Sequence, residues 1–225
     1  MAKAMVDEEI VRHQLKTLLP AALILVFALA TVAQAQTLRL REVGTGQTRI
    51  VAQVGQTIEI EVLADLQGVS SAGSSFFISI PDREFFEVRD FGIPGVAGVQ
   101  PFRQGPLFAG GVEVSNSVLP ESDPVAAQLN GQQLDYGAVI GLGGDRERTG
   151  TGVIATFSLL CLKPIENGAL DIDDNPIRET RLVLSDGVSE ARYRTTQGME
   201  ITVTGIELRD IPDVILTPGQ SDSVQ

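Results

Sequence analysis

The sequence is poor in the side chains on which most hydrolases and metal sites depend. Its 225 residues include one histidine, one cysteine and no tryptophan. His13 lies in an N-terminal segment with the pattern of a cleaved leader, so we expect the mature chain to have no imidazole. This excludes a nucleophile paired with a histidine base and a histidine-containing zinc site. With Cys161 alone, neither an intrachain disulfide nor a cysteine-based metal cluster can form.

Aromatic side chains are also scarce, and this bears on sugar binding. Besides the missing tryptophan, the chain has only two tyrosines, Tyr136 and Tyr193. Flat sugar-binding surfaces stack pyranose rings on exposed aromatic faces. A planar platform for polysaccharide is therefore disfavoured, although a polar groove for carbohydrate remains an alternative.

Acidic residues outnumber basic ones. There are 29 Asp and Glu against 17 Lys and Arg, which gives a formal net charge of −12 at pH 7. The leader holds as many acidic as basic residues, so the mature chain keeps this charge. A surface of this sign repels phosphate backbones and argues against a nucleic-acid partner.

The N-terminal segment has the three parts of a secretory signal peptide. Arg12 and Lys16 precede an apolar run, Leu18–Val32, and Ala33-Gln34-Ala35 follows it as a small-residue cleavage site. The run is shorter than the about 20 apolar residues that a membrane-spanning helix needs. We therefore predict that residues 1–35 are a cleaved signal peptide and that the mature protein is secreted or at the cell surface, without a membrane span.

Alternation of apolar and polar residues dominates the rest of the chain. The predicted strands are Leu38–Glu42, Arg49–Gln53, Thr57–Val62, Ser75–Ile80, Phe85–Arg89, Val112–Val118, Leu134–Gly141, Val153–Leu162, Leu182–Leu184 and Glu200–Thr204. Turn signals such as Asn167-Gly168 fall between them, and only Pro124–Gln133 has room for a short helical turn. This pattern predicts an all-β protein folded as an antiparallel β-sandwich.

The composition changes near the end of the chain. Ile211-Pro212-Asp213-Val214 and Pro218-Gly219-Gln220 have the character of a linker that leads into a new strand. We predict a β-sandwich domain at 36–205, followed by 206–225 as a linker or the start of a further module. A disordered tail is the alternative for these last residues.

The remaining reactive side chains show no catalytic arrangement. Cys161 shares its predicted strand face with Phe157 and Leu159, which indicates a buried and inert thiol. Glu59 and Glu61 alternate on a solvent face and do not converge on a pocket. Without a convergent acid–base pair, we expect no enzyme activity and no catalytic residues.

One acidic stretch is worth testing as a calcium loop. Asp171-Ile172-Asp173-Asp174-Asn175 gives the D-x-D-x-N start of an EF-hand, which then requires Gly at its sixth position and Glu at its twelfth. Those positions hold Pro176 and Leu182, so the loop fails. We expect a solvated acidic turn here, with no metal site and no bound cofactor.

Four stretches together resemble the sequence pattern of bacterial cohesin modules. They are Gly55–Val62, Ala72–Asp82, Phe85–Gly92 and Thr149–Leu159. The resemblance covers roughly Leu38–Thr204. The chain departs from the cohesin pattern at Pro81-Asp82, where Asp-Pro is usual, and in its longer segment between Ile93 and Gln133.

This resemblance implies a jelly-roll sandwich of about nine strands, related to cellulose-binding modules. Cohesins bind dockerin modules, which bring the calcium, and so build multi-enzyme complexes or attach proteins to cell surfaces. We therefore expect a secreted, non-catalytic docking module with a dockerin-like partner. A carbohydrate-binding module on the same fold and a structural spacer within a longer surface protein are the alternatives.

By the same resemblance, the partner would meet the exposed face of the sheet that contains the third and sixth strands. The candidate partner-binding residues are Ser75, Phe77, Ser79, Asp135 and Val139. Alternation places their neighbours Leu134, Tyr136, Ala138 and Ile140 in the core. An outward Phe77 would be an anchor for protein recognition, or it would pack under the segment between Ile93 and Gln133.

Overall fold

The computed structural model describes residues 36–92, 95, 97–124, 126–129, 131–141, 147–173 and 179–205. The predicted signal peptide and the 206–225 segment lie outside these residues. The strands are β1 Thr37–Glu42, β2 Arg49–Gln53, β3 Thr57–Asp65, β4 Ser71–Ile80, β5 Phe86–Val88, β6 Phe102–Gln104, β7 Val112–Val118, β8 Gln132–Val139, β9 Thr151–Cys161, β10 Ile165–Asp173, β11 Arg181–Leu184, β12 Glu190–Arg192, β13 Thr195–Gln197 and β14 Met199–Thr204. Two short 3-10 helices occupy Pro106–Phe108 and Ala126–Gln128.

These strands form two sheets. The smaller sheet has the order β13-β1-β3-β9-β5, with β6 also paired to β9. The larger sheet has the order β12-β11-β4-β10-β14-β2, and β8 and then β7 extend it from β4. Most neighbours are antiparallel, while β1–β13 and β2–β14 are parallel pairs. The predicted all-β sandwich of jelly-roll type is confirmed.

The core lies between the sheets and comes from the predicted alternation. Ile58, Ile60 and Val62 of β3 are buried, and the glutamates between them face away from the core. At the centre, four aromatic rings from both sheets pack with centroids 5.1–5.5 Å apart. They are Phe76, Phe102, Tyr136 and Phe157. Such edge and tilted contacts add to the burial of large apolar surfaces.

The described residues contain 14 strands, more than the about nine that the cohesin resemblance implies, because turns and loops divide them. Gly44 and Gly46, both at positive φ, make the turn after which β1 and β2 belong to different sheets. Likewise, β5 and β6 lie one after the other along β9, with the 89–101 segment between them.

Two sequence predictions about turns are wrong. Asn167-Gly168 is a bulge inside β10, where Asn167 has a φ of 52° and the register with β14 shifts. The bulge inserts the extra residue without reversing the chain. Asp171 and Asp173, expected in an acidic turn, are also part of β10. The remainder of that predicted turn, Asp174 and Asn175, lies outside the described residues.

Cys161 is a core residue at the end of β9. Its side chain is fully buried, and burial raises the pKa of the thiol to about 11. The structure thus agrees with the expectation of a buried cysteine.

Candidate binding face

The five candidate residues share one side of the larger sheet. Strands β4 and β8 pair so that Ser75 lies opposite Gly137, Phe77 opposite Asp135, and Val139 opposite Gly73. The residues between them, such as Phe76 and Tyr136, point into the core. We call the other side of β4, β7 and β8 the outer face.

Exposure on this outer face differs from the expectation for Phe77. Its side chain lies outside the hydrophobic core, yet only 5% of the residue is exposed. Its backbone N–H donates to Thr180 Oγ1 at 3.3 Å, and the Thr180 hydroxyl in turn donates to the Asp173 carbonyl. Thr180 is thus held where the chain passes from β10 to β11, beside Phe77. The prediction of an exposed aromatic anchor is wrong, because alternation fixes the face but not what covers it.

Asp135 is also more buried than the pattern suggested, at 9% exposure. Its carboxylate accepts a hydrogen bond from Ser115 Oγ on β7 at 3.0 Å. On β4, the Ser79 hydroxyl lies 2.8 Å from Gln133 Oε1 of β8 and also bonds to the Asp173 carboxylate of β10. Hydroxyls and carboxylates therefore make up the middle of the outer face.

The Asp173 carboxyl has a raised pKa. Burial is the main cause; the hydrogen bond from Ser79 opposes it, and the nearby Asp171 carboxylate adds repulsion. Asp171 lies opposite Ser79 and Asp173 lies opposite Phe77. Both aspartates are therefore on β10, beside the β4 edge of the outer face. This part of the face has a negative charge.

An apolar zone lies at one end of the face, and sequence reasoning missed it. Val112 and Val114 of β7 are 68% and 65% exposed. Val112 pairs with Val139, and Val114 lies over Gly137, where an added Cβ would be 2.8 Å from Val114 Cγ2. Because β7 bulges between Glu113 and Ser115, the strand places two valines and a serine on the same side. The three valines form a small exposed apolar patch.

The opposite rim of the sheet is ion-paired. Arg181 bonds to both Glu179 and Glu190, and Arg192 Nη2 lies 2.9 Å from Glu179 Oε1. Exposed pairs of this kind contribute little to stability. The sheet thus has an apolar end, a polar middle and a charged rim.

The described residues show no metal centre. No group of three or more His, Cys, Asp or Glu side chains within these ranges could hold a metal ion. Nor does any helix in the described part of the chain have the length and hydropathy needed to cross a membrane.

Comparisons with known proteins relate this arrangement to solved structures. No protein-family model and no curated protein sequence matches the chain. A type II cohesin domain from the cellulosome of Acetivibrio cellulolyticus matches with a TM-score of 0.54 and 16% identity, over 74% of this chain and 95% of that one. Type II cohesin A11 from Bacteroides cellulosolvens matches with a TM-score of 0.52 and 14% identity, over 75% and 99%.

A third structure was solved as a complex. A chain from a type II cohesin–X-dockerin complex of Acetivibrio cellulolyticus matches with a TM-score of 0.52 and 15% identity, over 75% of this chain and 99% of that one. At these identities the likeness concerns the fold. The chain has a cohesin-like fold, as the sequence resemblance predicted.

Proposed function

We propose that this chain is a secreted, non-catalytic docking module that binds a protein partner through the outer face of β4, β7 and β8. The observation that carries the proposal is the exposed patch of Val112, Val114 and Val139 beside a stripe of hydroxyl groups. A partner of dockerin type is supported by the cohesin-like fold and by the solved cohesin–X-dockerin complex.

The patch is suited to an interface because its strand is held in place before binding. The Asn116 side chain accepts from the Phe102 N–H at 3.0 Å and donates to the Phe102 carbonyl at 2.8 Å. This fixes β7 against β6, so that Val112 and Val114 lie on an ordered strand. Burying each valine contributes about 1.5 kcal/mol or more, and a rigid surface loses little entropy on binding.

The described residues do not favour the carbohydrate alternative. Tyr136 and Tyr193 are buried, and Tyr193 OH lies 2.9 Å from Ser74 Oγ beneath the sheet. Phe85 and Phe91 are half-buried and have Lys163 and Arg103 over their rings. No aromatic ring of the described residues is thus presented as an open platform for a sugar.

Secretion and an extracellular or cell-surface assembly belong to the same proposal. They are supported by the leader pattern of residues 1–35 in the sequence. The dockerin-like partner, not this chain, would bring the calcium.

Capture of partners from the secreted proteins of the same organism tests the proposal. The full chain would be immobilised and exposed to these proteins with calcium or with a chelator. We expect calcium-dependent capture that Val112→Asp/Val114→Asp abolishes, because two charges would replace the apolar contact. The matched control is Val51→Asp, an exposed valine on β2 that lies outside the outer face.

Equal loss of capture in Val51→Asp would show a general effect of charge and contradict the proposed face. Retention on insoluble polysaccharide, without any captured protein, would favour the carbohydrate alternative.

A further inference from the structure

Two adjoining cavities lie at the end of the sandwich remote from the valine patch. One has a volume of about 260 Å³ and the other about 370 Å³. Arg83 and Gln132 line both, so the two cavities form one groove. Gln132 begins β8, whereas Val139 of the patch ends it. The groove is therefore separate from the proposed docking contact.

Gln132, which lines both cavities of this groove, has an unused amide acceptor among the described residues. The residue is only 7% exposed, and its Nε2 donates to the Phe86 carbonyl at 2.9 Å and to the Pro81 carbonyl at 3.2 Å. These two bonds fix which atom of the amide is the nitrogen. The Oε1 atom accepts no hydrogen bond from any residue that the structure describes. A buried carbonyl oxygen of this kind favours a ligand that donates.

Negative charge surrounds the same groove. Glu87 lines the smaller cavity, and Glu121 lines the larger one with Glu84 and Asp82. Lys163 is near Glu84, at 3.5 Å, whereas no cation of the described residues pairs with Glu87 or Glu121. The only cationic side chain that lines the described groove is Arg83. The groove thus attracts a cation.

The wall of the smaller cavity is aliphatic. Val88, Val118 and Leu162 line it beside Gln132. An apolar wall, a buried acceptor and peripheral carboxylates match an arginine side chain, which has a hydrocarbon stem and a planar head with five N–H donors. A divalent cation is a poor match, because aliphatic side chains supply no ligand atoms.

We propose that this groove binds an arginine side chain of a peptide. The stem packs on Val88, Val118 and Leu162, and the guanidinium donates to Gln132 Oε1 and faces Glu87. The larger cavity, with Glu121, takes the flanking residues of the peptide. Arg83 opposes binding through like-charge repulsion.

An NMR titration of the ¹⁵N-labelled full chain tests this directly. The probe is N-acetyl-Ala-Arg-Ala-amide, and the matched control peptide replaces arginine with the uncharged isostere citrulline. At peptide concentrations up to about 10 mM, we expect shifts concentrated at the Gln132 side-chain amide and at residues 87–88 and 118. The citrulline peptide should bind at least about tenfold more weakly because it lacks the charge.

Variants at exposed positions complete the test without disturbing the fold. Glu87→Gln/Glu121→Gln should weaken binding of the arginine peptide by about tenfold, and Arg83→Gln should strengthen it. Glu59→Gln, at an exposed carboxylate on β3 that does not line the groove, should leave it unchanged. Absence of shifts or equal binding of the citrulline peptide would overturn the proposal. So would a Glu59→Gln variant that weakens binding as much as Glu87→Gln/Glu121→Gln does.

Discussion

Phe77 shows how one side chain can face away from the core and still be structural. It alternates with core residues along β4, so its direction followed from the sequence. Its near-complete burial did not follow from the sequence, because residues from distant parts of the chain that cover a sheet face produce no periodic pattern. The same holds for Asp135, which is covered on the outer face and bonded to Ser115.

Replacing Phe77 by aspartate tests this structural role. A buried site without a cationic partner makes a carboxylate costly, so Phe77→Asp should lower the free energy of unfolding by about 3 kcal/mol or more. Phe77→Leu, which keeps an apolar side chain, should cost less than about 1.5 kcal/mol. Urea unfolding followed by circular dichroism measures both. A Phe77→Asp variant as stable as the wild type would show that the ring is accessible after all.

The pH dependence of stability tests the environment of Asp173. Burial raises its pKa in the folded state above the ordinary 3.8, so folding becomes less favourable as the pH rises through the raised value. Asp173→Asn removes the charge and keeps an acceptor for Ser79. The variant should therefore be more stable than the wild type at pH 7, and the difference should vanish near pH 3.

Asp186 provides a control, because its pKa is shifted in the opposite direction to that of Asp173. Hydrogen bonds from the Ser189 hydroxyl and from the backbone N–H groups of Val188 and Ser189 lower its pKa. Asp186→Asn should thus lose stability at neutral pH and recover it in acid. Urea unfolding of both variants at the two pH values measures the effect, and a stability difference for Asp173→Asn that is independent of pH would contradict the assigned burial.

Among the secondary-structure elements, the strand predictions succeeded where apolar and polar residues alternate over enough positions to show a period of two. Strand β3 is the clearest case, with three inward aliphatic residues between two glutamates. Strands β6, β12 and β13 were missed because three residues carry no measurable period. Strand β10 was missed because Asn167-Gly168 has the composition of a turn and occupies a bulge.

The candidate face was predicted only in part for a similar reason. Alternation placed Ser75, Ser79 and Val139 on it, since each lies in a regular strand. Strands β7 and β8 were both predicted, but their pairing was not. Without knowing that Val112 pairs with Val139, or that Gly137 leaves room for Val114, the sequence offered no reason to join these valines into a patch.

The Asn116 side chain is the contact that holds β7 against β6. Asn116→Ala leaves both the N–H and the carbonyl of Phe102 without this partner, so it should cost about 1–3 kcal/mol. Hydrogen exchange at the Phe102 amide should quicken as β6 loosens. Val112→Ala, at an exposed position on the same strand, is the control and should change neither quantity. Unaltered exchange in Asn116→Ala would mean that backbone pairing with β9 alone secures β6.

For the molecule as a whole, the two ends of the described domain stabilise each other. Strand β2 pairs in parallel with β14, and β1 pairs in parallel with β13. These two long-range pairs tie the first two strands of the described residues to the last two. We therefore expect β14, the last strand of the described residues, to be required for folding.

Truncation tests this dependence. Residues 36–205 should fold independently, whereas 36–198 should not, because it lacks the buried Met199, Ile201 and Val203. Their burial contributes on the order of 5–9 kcal/mol, comparable with the 5–15 kcal/mol stability of a typical domain. Circular dichroism and amide chemical-shift dispersion would distinguish the two. Cooperative unfolding of 36–198 would contradict the closing role of β14.

The proposed docking surface for a protein partner is the outer face of β4, β7 and β8. Hydrogen–deuterium exchange of the full chain, with and without the captured partner, tests it most directly. We predict added protection in Val112–Val118, in Gln132–Val139 and in Ser71–Ile80, with exchange in Thr57–Asp65 unchanged. Protection confined to Thr57–Asp65 and its neighbours in the smaller sheet would contradict docking on the outer face.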